Sequence, residues 1–452
     1  MRDRTTDMTI GSPVRHIVIF ALPALVGNIF QQIYNVADSI IVGQFVGAKA
    51  LAAVGSTASI TFMFFALCNG IGTGGGIIVS QYYGANDDSK VKNCIVNTGL
   101  IMLVVPILFG TVGYAFAPSF LRFLNTPADI LTSASSYVRY MCIGLLFVSM
   151  YNYLSSMLRA LGDSRTPLYF LIMSTVLNII LDIIFVYNLK TGINGAALAT
   201  IISQFVAALG CWIFACMTNR YFKLEKSDFV ISTQMAYKVL RLGVPMSLQF
   251  ALIAISSMAV QRIVNSYGTI VVAAFTATNR LEQLIHQPYT TLGASLATFS
   301  GQNYGAKKYD RVYAGYKKGF LVMAVLTAGM VLMMQFFGKA LTSLFVSDAK
   351  VIELGGLGLR ITSLFYLPLG VIYVIRGVLT GVGDAFFALF NGIVEVIGRF
   401  TIPLLMTKYM GMGEIGIWVS AGVVWVLSAV TAWYRYLTYL HKRIKTRTQE
   451  TR

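Results

Sequence analysis

Long apolar stretches separated by short polar connections follow one another along the whole chain. Each stretch is close to, or longer than, the roughly 20 residues that a helix needs to cross the hydrocarbon core of a bilayer. The stretches lie approximately at residues 15–37, 51–80, 93–115, 136–159, 168–188, 195–218, 237–261, 271–297, 315–337, 358–380, 386–407 and 416–439. The pattern therefore predicts an all-α integral membrane protein with twelve transmembrane helices and no separate soluble domain.

Composition agrees with a membrane protein. Hydrophobic residues make up 56% of the chain and charged residues 12%, and the mean hydropathy of +0.70 lies outside the range of soluble globular proteins. A formal net charge of +17 is also found in nucleic-acid-binding proteins, but the distribution of Lys and Arg between the apolar stretches favours a different explanation.

If both termini are cytoplasmic, 23 Lys and Arg residues lie at the cytoplasmic ends of the spans and nine on the opposite side. This asymmetry follows the positive-inside rule. We therefore predict a multi-pass protein of the cell (plasma) membrane, with both termini in the cytoplasm and no nucleic-acid partner. The basic segment His441 to Arg447 is expected to contact anionic lipid.

An internal repeat divides the chain into two halves. Ser80-Gln-Tyr-Tyr-Gly-Ala85 recurs as Gly301-Gln-Asn-Tyr-Gly-Ala306, and the same offset of 221 residues pairs Arg139 with Arg360. One register that holds over this length indicates duplication. Since each half has an even number of spans, both enter the membrane in the same direction. We predict two six-helix lobes related by a pseudo-two-fold axis along the membrane normal.

The predicted boundaries follow from this repeat. The N-terminal lobe covers residues 1–218, a cytoplasmic linker 219–236, the C-terminal lobe 237–440 and a basic cytoplasmic tail 441–452. In transporters built from such repeats, substrate sites lie near the membrane midplane within or between the halves.

A polar stripe crosses the end of the first apolar stretch. Gln31, Tyr34, Asn35 and Asp38 are spaced i, i+3, i+4 and i+7, which places them on one face of a helix. A carboxylate inside a membrane helix costs roughly 3 kcal/mol on insertion scales, so Asp38 should face protein or a water-filled cavity. The alternative is that Asp38 lies at the helix end, at the depth of the lipid headgroups.

A second polar group lies in the fifth and sixth stretches. Ser174, Asn178 and Asp182 step by four along one helix face, and Thr200 begins a similar face on the next helix. Carboxylate, amide and hydroxyl oxygens suit a hard monovalent cation or a shared proton. Asp182 could instead be a capping or interfacial charge. Weaker candidates for the same cavity, for which hydrogen bonding within the core is an alternative, are Tyr137, Asn152 and Ser155.

The second half does not repeat these acids. At the repeat offset Asp182 becomes Pro403 and Asn178 becomes Arg399. Glu282 and Arg376 are candidate residues of the substrate cavity, and Glu282 could alternatively pair with Arg376. Glu395 and Arg399 are four residues apart, and their spacing predicts a structural ion pair.

Four motifs together resemble the multidrug and toxic compound extrusion family. They are the YNxxDxxxVG stretch from Tyr34, the GAxxLAAVG run from Gly47, the paired QxYGA loops and the RALGD loop from Arg159. The resemblance covers about residues 13–440 and implies a two-lobed antiporter that exports cationic or amphipathic drugs in exchange for protons or sodium ions.

The resemblance also assigns residues. It implies that Asp38, Asn178, Asp182 and Thr200 bind the coupling proton or sodium ion, and that Glu282 matches an eighth-helix acid of one branch. The tenth-helix Asp of that branch is missing here, where the sequence has Arg376. The remaining predicted cavity residues are Gln31, Tyr34, Asn35, Tyr137, Asn152 and Ser155.

The other functional classes fit less well. The glycine clusters lack the Lys-Ser/Thr of a P-loop, so we predict no ATP-driven step and no cofactor beyond the coupling ion. Three scattered histidines argue against an enzyme, and no filter-like loop indicates a channel. The main alternative is a flippase or exporter of a lipid-linked or amphipathic metabolite from the same wider superfamily, for which a more cationic cavity is expected.

Overall fold

The computed structural model describes residues 4–124 and 126–441, apart from the side chains of residues 36, 39, 48, 51, 254, 440 and 441. The predicted basic tail lies outside these residues, except for the backbone of His441. The described residues form α-helices joined by short turns: α1 Pro13–Phe45, α2 Ala48–Gly84, α3 Asp88–Phe123, α4 Ala128–Ala160, α5 Arg165–Asp182, α6 Ile193–Thr218, α7 Thr233–Asn265, α8 Thr269–Gly305, α9 Tyr309–Ser343, α10 Ala349–Ser363, α11 Tyr366–Gly381, α12 Ala385–Leu404 and α13 Ile415–Arg435.

The twelve predicted spans correspond to these helices. Ten helices within the described residues are long and apolar enough to cross a membrane, and α10 and α11, bent by 50° at a short break, make an eleventh. The remaining predicted span is α8, which has 37 residues but is more polar than the others. The all-α fold of membrane-crossing helices is therefore confirmed.

The duplication is visible in the backbone as well as in the sequence. Among the non-glycine residues of the described segments, Asn86 (φ 56°) and Lys307 (φ 58°) adopt a positive φ and are separated by 221 positions in the two QxYGA turns. Positive-φ glycines recur at the same offset at Gly47 and Gly268, Gly162 and Gly383, and Gly192 and Gly413. Glycine has no Cβ to clash in this region, so both halves retain the same turns.

The described chain forms two compact units whose boundaries lie within helices. Unit 1 comprises residues up to Asp7 and Leu22–Ala251, and unit 2 comprises Met8–Ala21 and Leu252 onward. The first part of α1 therefore belongs to unit 2, and the first part of α7 belongs to unit 1. These boundaries differ from the linker at 219–236 because helix packing, rather than the polar connection, decides where each unit ends.

In unit 1, α7 crosses α2 so closely that the two helix backbones are in contact. A Cβ added to Gly74 would lie 2.5 Å from the backbone nitrogen of Gly243, and one added to Gly70 would lie 2.3 Å from that of Ser247. The Ser247 hydroxyl donates to the carbonyl of Leu67 at 2.6 Å. Small residues at a membrane helix crossing allow this close approach, so α7 begins as part of unit 1.

In unit 2, the start of α1 packs on α8. The Ser295 hydroxyl donates to the carbonyl of Ile17 at 2.9 Å, and Ile17 is fully buried. Just before the helix, the backbone N–H of Met8 donates to Gln302 at 2.9 Å, while Arg311 donates to the carbonyl of Met8 at 2.9 Å. These bonds hold the beginning of the described chain to the QxYGA turn of unit 2.

Candidate functional site

Asp182 and Asn178 form the buried centre of a polar site in unit 1. Asp182 is the last residue of α5, immediately before a π-helical turn over Ile183–Asn188. Both side chains are 0% exposed. Because they are one helical turn apart, they lie on the same face of α5, as the sequence predicted.

The Asn178 amide connects Asp182 to the next helix. In the orientation that its neighbours require, the amide nitrogen donates to Asp182 Oδ2 at 3.0 Å and the amide oxygen accepts from the backbone N–H of Thr200 at 3.3 Å. The neighbours decide this orientation because only the nitrogen of an amide can donate. Asn178 therefore fixes the carboxylate of α5 relative to α6.

Tyr34 links α1 to the same group. Its hydroxyl lies 2.9 Å from Thr200 Oγ1, and the backbone of Thr200 is bonded to Asn178. Tyr34, which we predicted as a cavity residue, therefore contacts Thr200, which the resemblance assigned to the ion site. Three helices, α1, α5 and α6, meet in this network.

Asp38 lies one turn beyond Tyr34 on α1 and completes the group. It interacts electrostatically with Asp182, and both carboxylates act on Tyr34 and on the buried Tyr137 of α4. Asp38 Oδ1 and Asp182 Oδ1 are each buried without a hydrogen-bond partner among the described residues. Since buried polar atoms are almost always satisfied, these two oxygens retain the capacity to accept a proton or to coordinate a cation.

The donor set fits a hard monovalent cation. Two carboxylates with neighbouring amide and hydroxyl oxygens provide the ligands that hard cations prefer. Groups of three or more His, Cys, Asp and Glu that could hold a metal ion do not occur in the described part of the chain.

The other predicted residues of unit 1 lie on α1 and α4. Gln31 is half-buried and Asn35 is exposed on α1, while Asn152 is half-buried on α4. Ser155 is buried on α4 and lies near Tyr151. Gln204 lies one turn beyond Thr200 on α6, and its side-chain oxygen is buried without a partner in the part of the chain that is described. Its place on the polar face of α6 was visible in the sequence.

Unit 2 holds a different polar group. Arg376 of α11 forms a buried ion pair with Glu395 of α12, with Nη2 and Oε1 3.2 Å apart. The predicted pair between Glu395 and Arg399 is therefore wrong, because Glu395 points to the neighbouring helix rather than along its own. The alternative pairing of Glu282 with Arg376 is not formed either.

Asn391 supports this ion pair and was not predicted from the sequence. It accepts a hydrogen bond from Arg376, and its own amide donates to the carbonyl of Ser428 and to Thr431, both at 2.9 Å. The only sequence signal was its position one turn before Glu395 on α12. The side chain of Glu282 takes no part in this network.

Comparison with known proteins gives one consistent result. The MatE family model matches residues 23–184 and 245–404, one match in each half of the duplication. The chain is 33% identical to the Probable multidrug resistance protein YpnP of Bacillus subtilis over 434 residues, which are 95% of this chain and 96% of that protein. It is 27% identical to the Probable multidrug resistance protein YoeA of the same organism, over 95% of this chain and 94% of the relative.

Solved structures agree on the fold. A MOP superfamily transporter from Pyrococcus furiosus superimposes with a TM-score of 0.91 at 23% identity, over 99% of both chains. An outward-facing multidrug resistance MATE family transporter of the same superfamily gives a TM-score of 0.91 at 24% identity, also over 99% of both chains.

Proposed function

This chain belongs to the multidrug and toxic compound extrusion (MatE) family, and on that premise we propose that it exports cationic or amphipathic drugs by antiport with protons or sodium ions. The observation that carries this proposal is the pair of unsatisfied carboxylate oxygens of Asp38 and Asp182 in unit 1. Relatives named as multidrug resistance and multidrug export proteins match nearly the whole chain.

The coupling ion acts by neutralising the two carboxylates. Two acids close together away from bulk water resist being ionised at the same time, so a proton or cation bound between them lowers the free energy of the loaded site. Asn178 holds Asp182 in position, and Thr200 and Tyr34 offer oxygens on the adjoining helices.

Helix α1 changes conformation when the coupling ion binds. α1 carries Tyr34 and Asp38 in its second half, while its first residues, Pro13 to Ala21, belong to unit 2, and Pro23 lies beside the boundary at Leu22. A proline inside a helix removes one backbone hydrogen bond and favours bending. Binding of the ion repacks or bends α1 and displaces the drug, provided that the ion binds the two conformations with different affinities.

The carboxylates of Asp38 and Asp182 disfavour the alternative function, a flippase for lipid-linked phosphates. A phosphate group calls for cationic side chains in the cavity, whereas the polar site of unit 1 contains two carboxylates. The charge asymmetry of the connections supports a plasma-membrane protein with cytoplasmic termini. Transport rather than catalysis is the activity that this arrangement supports.

The proposal is tested by drug efflux from proteoliposomes in which proton and sodium gradients are imposed separately. One gradient should drive efflux by the wild type, and Asp38→Asn and Asp182→Asn should lose it. Asp129→Asn is the matched control, since Asp129 forms an exposed ion pair with Lys49 at 3.8 Å. Full efflux by both site variants would refute the coupling role.

A further inference from the structure

Three consecutive apolar residues form an exposed tip on the connection between α6 and α7, within unit 1. The side chains of Phe229, Val230 and Ile231 are 59%, 56% and 76% exposed, and α7 begins shortly afterwards at Thr233. Contiguous apolar side chains that lie outside the packed core mark an interaction surface. We call these three residues the apolar tip.

The backbone of the apolar tip is fixed to α3. The side-chain amides of Asn93 and Asn97 both donate to the carbonyl of Val230 at 2.9 Å. The backbone N–H of Ser232 donates to Asn97 Oδ1, also at 2.9 Å. Because these bonds hold the backbone on both sides of Ile231, the exposed side chains form a preorganised surface, and little conformational freedom is lost when it binds a partner.

The bonds to α3 also place the apolar tip at the boundary of the membrane. Helices α3 and α7 are both long and apolar enough to cross a membrane. Asn93 and Asn97 lie in the first three turns of α3, which begins at Asp88, and they coincide with the start of the apolar stretch at residues 93–115. The tip is therefore held at the level where α3 enters the hydrocarbon region, and there its side chains can exchange water for acyl chains.

Basic side chains flank the apolar tip. Residues 219–241 contain five Lys and Arg and two Asp and Glu, an excess of three positive charges. One of the two acids, Asp228, is already paired with Lys92 at 2.9 Å. Four of the basic side chains are exposed, namely Lys223, Lys226, Lys238 and Arg241. Exposed lysines and arginines beside a membrane are attracted to anionic lipid headgroups.

We propose that the apolar tip inserts into the adjoining leaflet of the membrane and that the basic side chains beside it bind the headgroups of anionic phospholipids. This leaflet is the cytoplasmic one by the positive-inside rule. Apolar burial combined with attraction to anionic lipid is the way in which interfacial segments bind membranes. Attachment to α3 at the level of the membrane boundary favours lipid over a cytoplasmic protein as the partner.

The test measures the depth of the tip by spin labelling. Ile231→Cys of the full-length protein is labelled with a nitroxide and placed in nanodiscs made of phosphatidylcholine alone, or of equal parts phosphatidylcholine and phosphatidylglycerol. Collision of the label with oxygen, which concentrates among acyl chains, should exceed collision with a water-soluble nickel complex. Phe229→Cys gives an independent measurement at the other end of the tip and should show the same order. The unsubstituted protein supplies the background from the native cysteines.

Ser227→Cys is the matched control, since Ser227 is exposed on the 3₁₀-helix Lys226–Asp228 just before the tip. Its label should collide more often with the nickel complex than with oxygen. If the nickel complex reached the labels at 229 and 231 as readily as the label at 227, insertion of the tip would be refuted.

The lipid mixture tests the basic side chains. Phosphatidylglycerol should move the label at position 231 deeper, and the double substitution Lys223→Gln and Lys226→Gln should remove that shift. Lys350→Gln, which removes an exposed lysine of unit 2, is the control and should leave the shift unchanged. An equal depth in both lipid mixtures would overturn the role of anionic headgroups. No transport step enters this measurement, so its outcome is independent of the proposed export function.

Discussion

The hydroxyl groups of Tyr34 and Thr200 lie 2.9 Å apart and join α1 to α6 beside the buried Asn178 and Asp182. This bond attaches α1, which carries Asp38, to α6, and Asn178 in turn joins α6 to Asp182 of α5. The bond therefore connects the two halves of the proposed coupling site, and its loss has a measurable consequence.

Tyr34→Phe should reduce ion-driven efflux several-fold while the protein stays folded. The ring remains, but the hydrogen bond to Thr200, with a net value of about 1 kcal/mol, is lost. Efflux in proteoliposomes and thermal unfolding in detergent measure the two effects. Tyr187→Phe, at an exposed tyrosine of the same unit, is the control and should leave efflux unchanged. A Tyr34→Phe protein with wild-type coupling would show that this bond has no part in transport.

Gly74→Ala should destabilise unit 1 strongly. The added methyl group would lie 2.5 Å from the backbone nitrogen of Gly243, so α2 and α7 must separate, and overpacking of this kind costs about 1–3 kcal/mol or more. Gly55→Ala on the same helix meets nothing within 4 Å and should be neutral or slightly stabilising, as alanine favours helix over glycine. Thermal unfolding of both variants compares them, and equal melting temperatures would contradict the close crossing.

Glu395→Gln should destabilise unit 2 because it leaves Arg376 without its anion. Removing one partner of a buried ion pair costs about 3–5 kcal/mol. Glu353→Gln breaks the pair with Lys339, in which both side chains are mainly exposed, and should change stability by less than about 1 kcal/mol. Thermal unfolding tests both. If Arg399→Gln destabilised the protein as much as Glu395→Gln, the pair predicted along α12 would be the important one after all.

The segment of residues 219–236, which lies within unit 1, should open in acid. Hydrogen bonds from the backbone N–H of Glu225 and from Lys92 lower the pKa of Asp228, and the Lys92–Asp228 ion pair measures 2.9 Å. Because its pKa is lowered, ionised Asp228 contributes its full stabilisation of this segment above the ordinary pKa of a carboxyl group, about 4. That stabilisation is lost as the pH falls through the lowered pKa. Limited proteolysis of residues 219–236 should therefore accelerate only at strongly acidic pH.

Asp228→Asn should make that cleavage fast at neutral pH and remove most of its pH dependence. Glu414→Gln, at an exposed acid of unit 2, should leave the pH profile unchanged. Equally fast cleavage of residues 219–236 in wild type and Asp228→Asn at neutral pH would show that the ion pair does not hold this segment.

The periodicity of the sequence predicted much of the fold and of the unit 1 site. The i, i+4 spacing of Asn178 and Asp182 places both on one face of α5, and the 221-residue offset recurs in the turns at Asn86 and Lys307. Such features are local, or repeat exactly, so they can be recognised without the tertiary structure. The hydrogen bond between the Tyr34 and Thr200 hydroxyls was not predicted; the sequence indicated only that both residues belong to one polar site.

Contacts between different helices could not be predicted from the sequence. Glu395 and Arg399 have the correct spacing for an ion pair, yet Glu395 bonds to Arg376 of α11, because a buried guanidinium on an adjoining helix provides a better partner. The unit boundaries within α1 and α7 likewise depend on the close approach at Gly243 and on the bond to Ile17. Neither relationship can be recognised from the spacing of residues along one helix.

The most direct test of the central claim is whether an imposed drug gradient drives movement of the coupling ion. Coupling between two ligands is reciprocal, so a drug gradient across proteoliposomes should move protons or sodium ions in the opposite direction, as recorded with an internal ion indicator. We predict ion movement with the wild type and none above background with Asp38→Asn. Equal ion movement by the two proteins, or drug transport by the wild type without ion movement, would contradict coupling at Asp38 and Asp182.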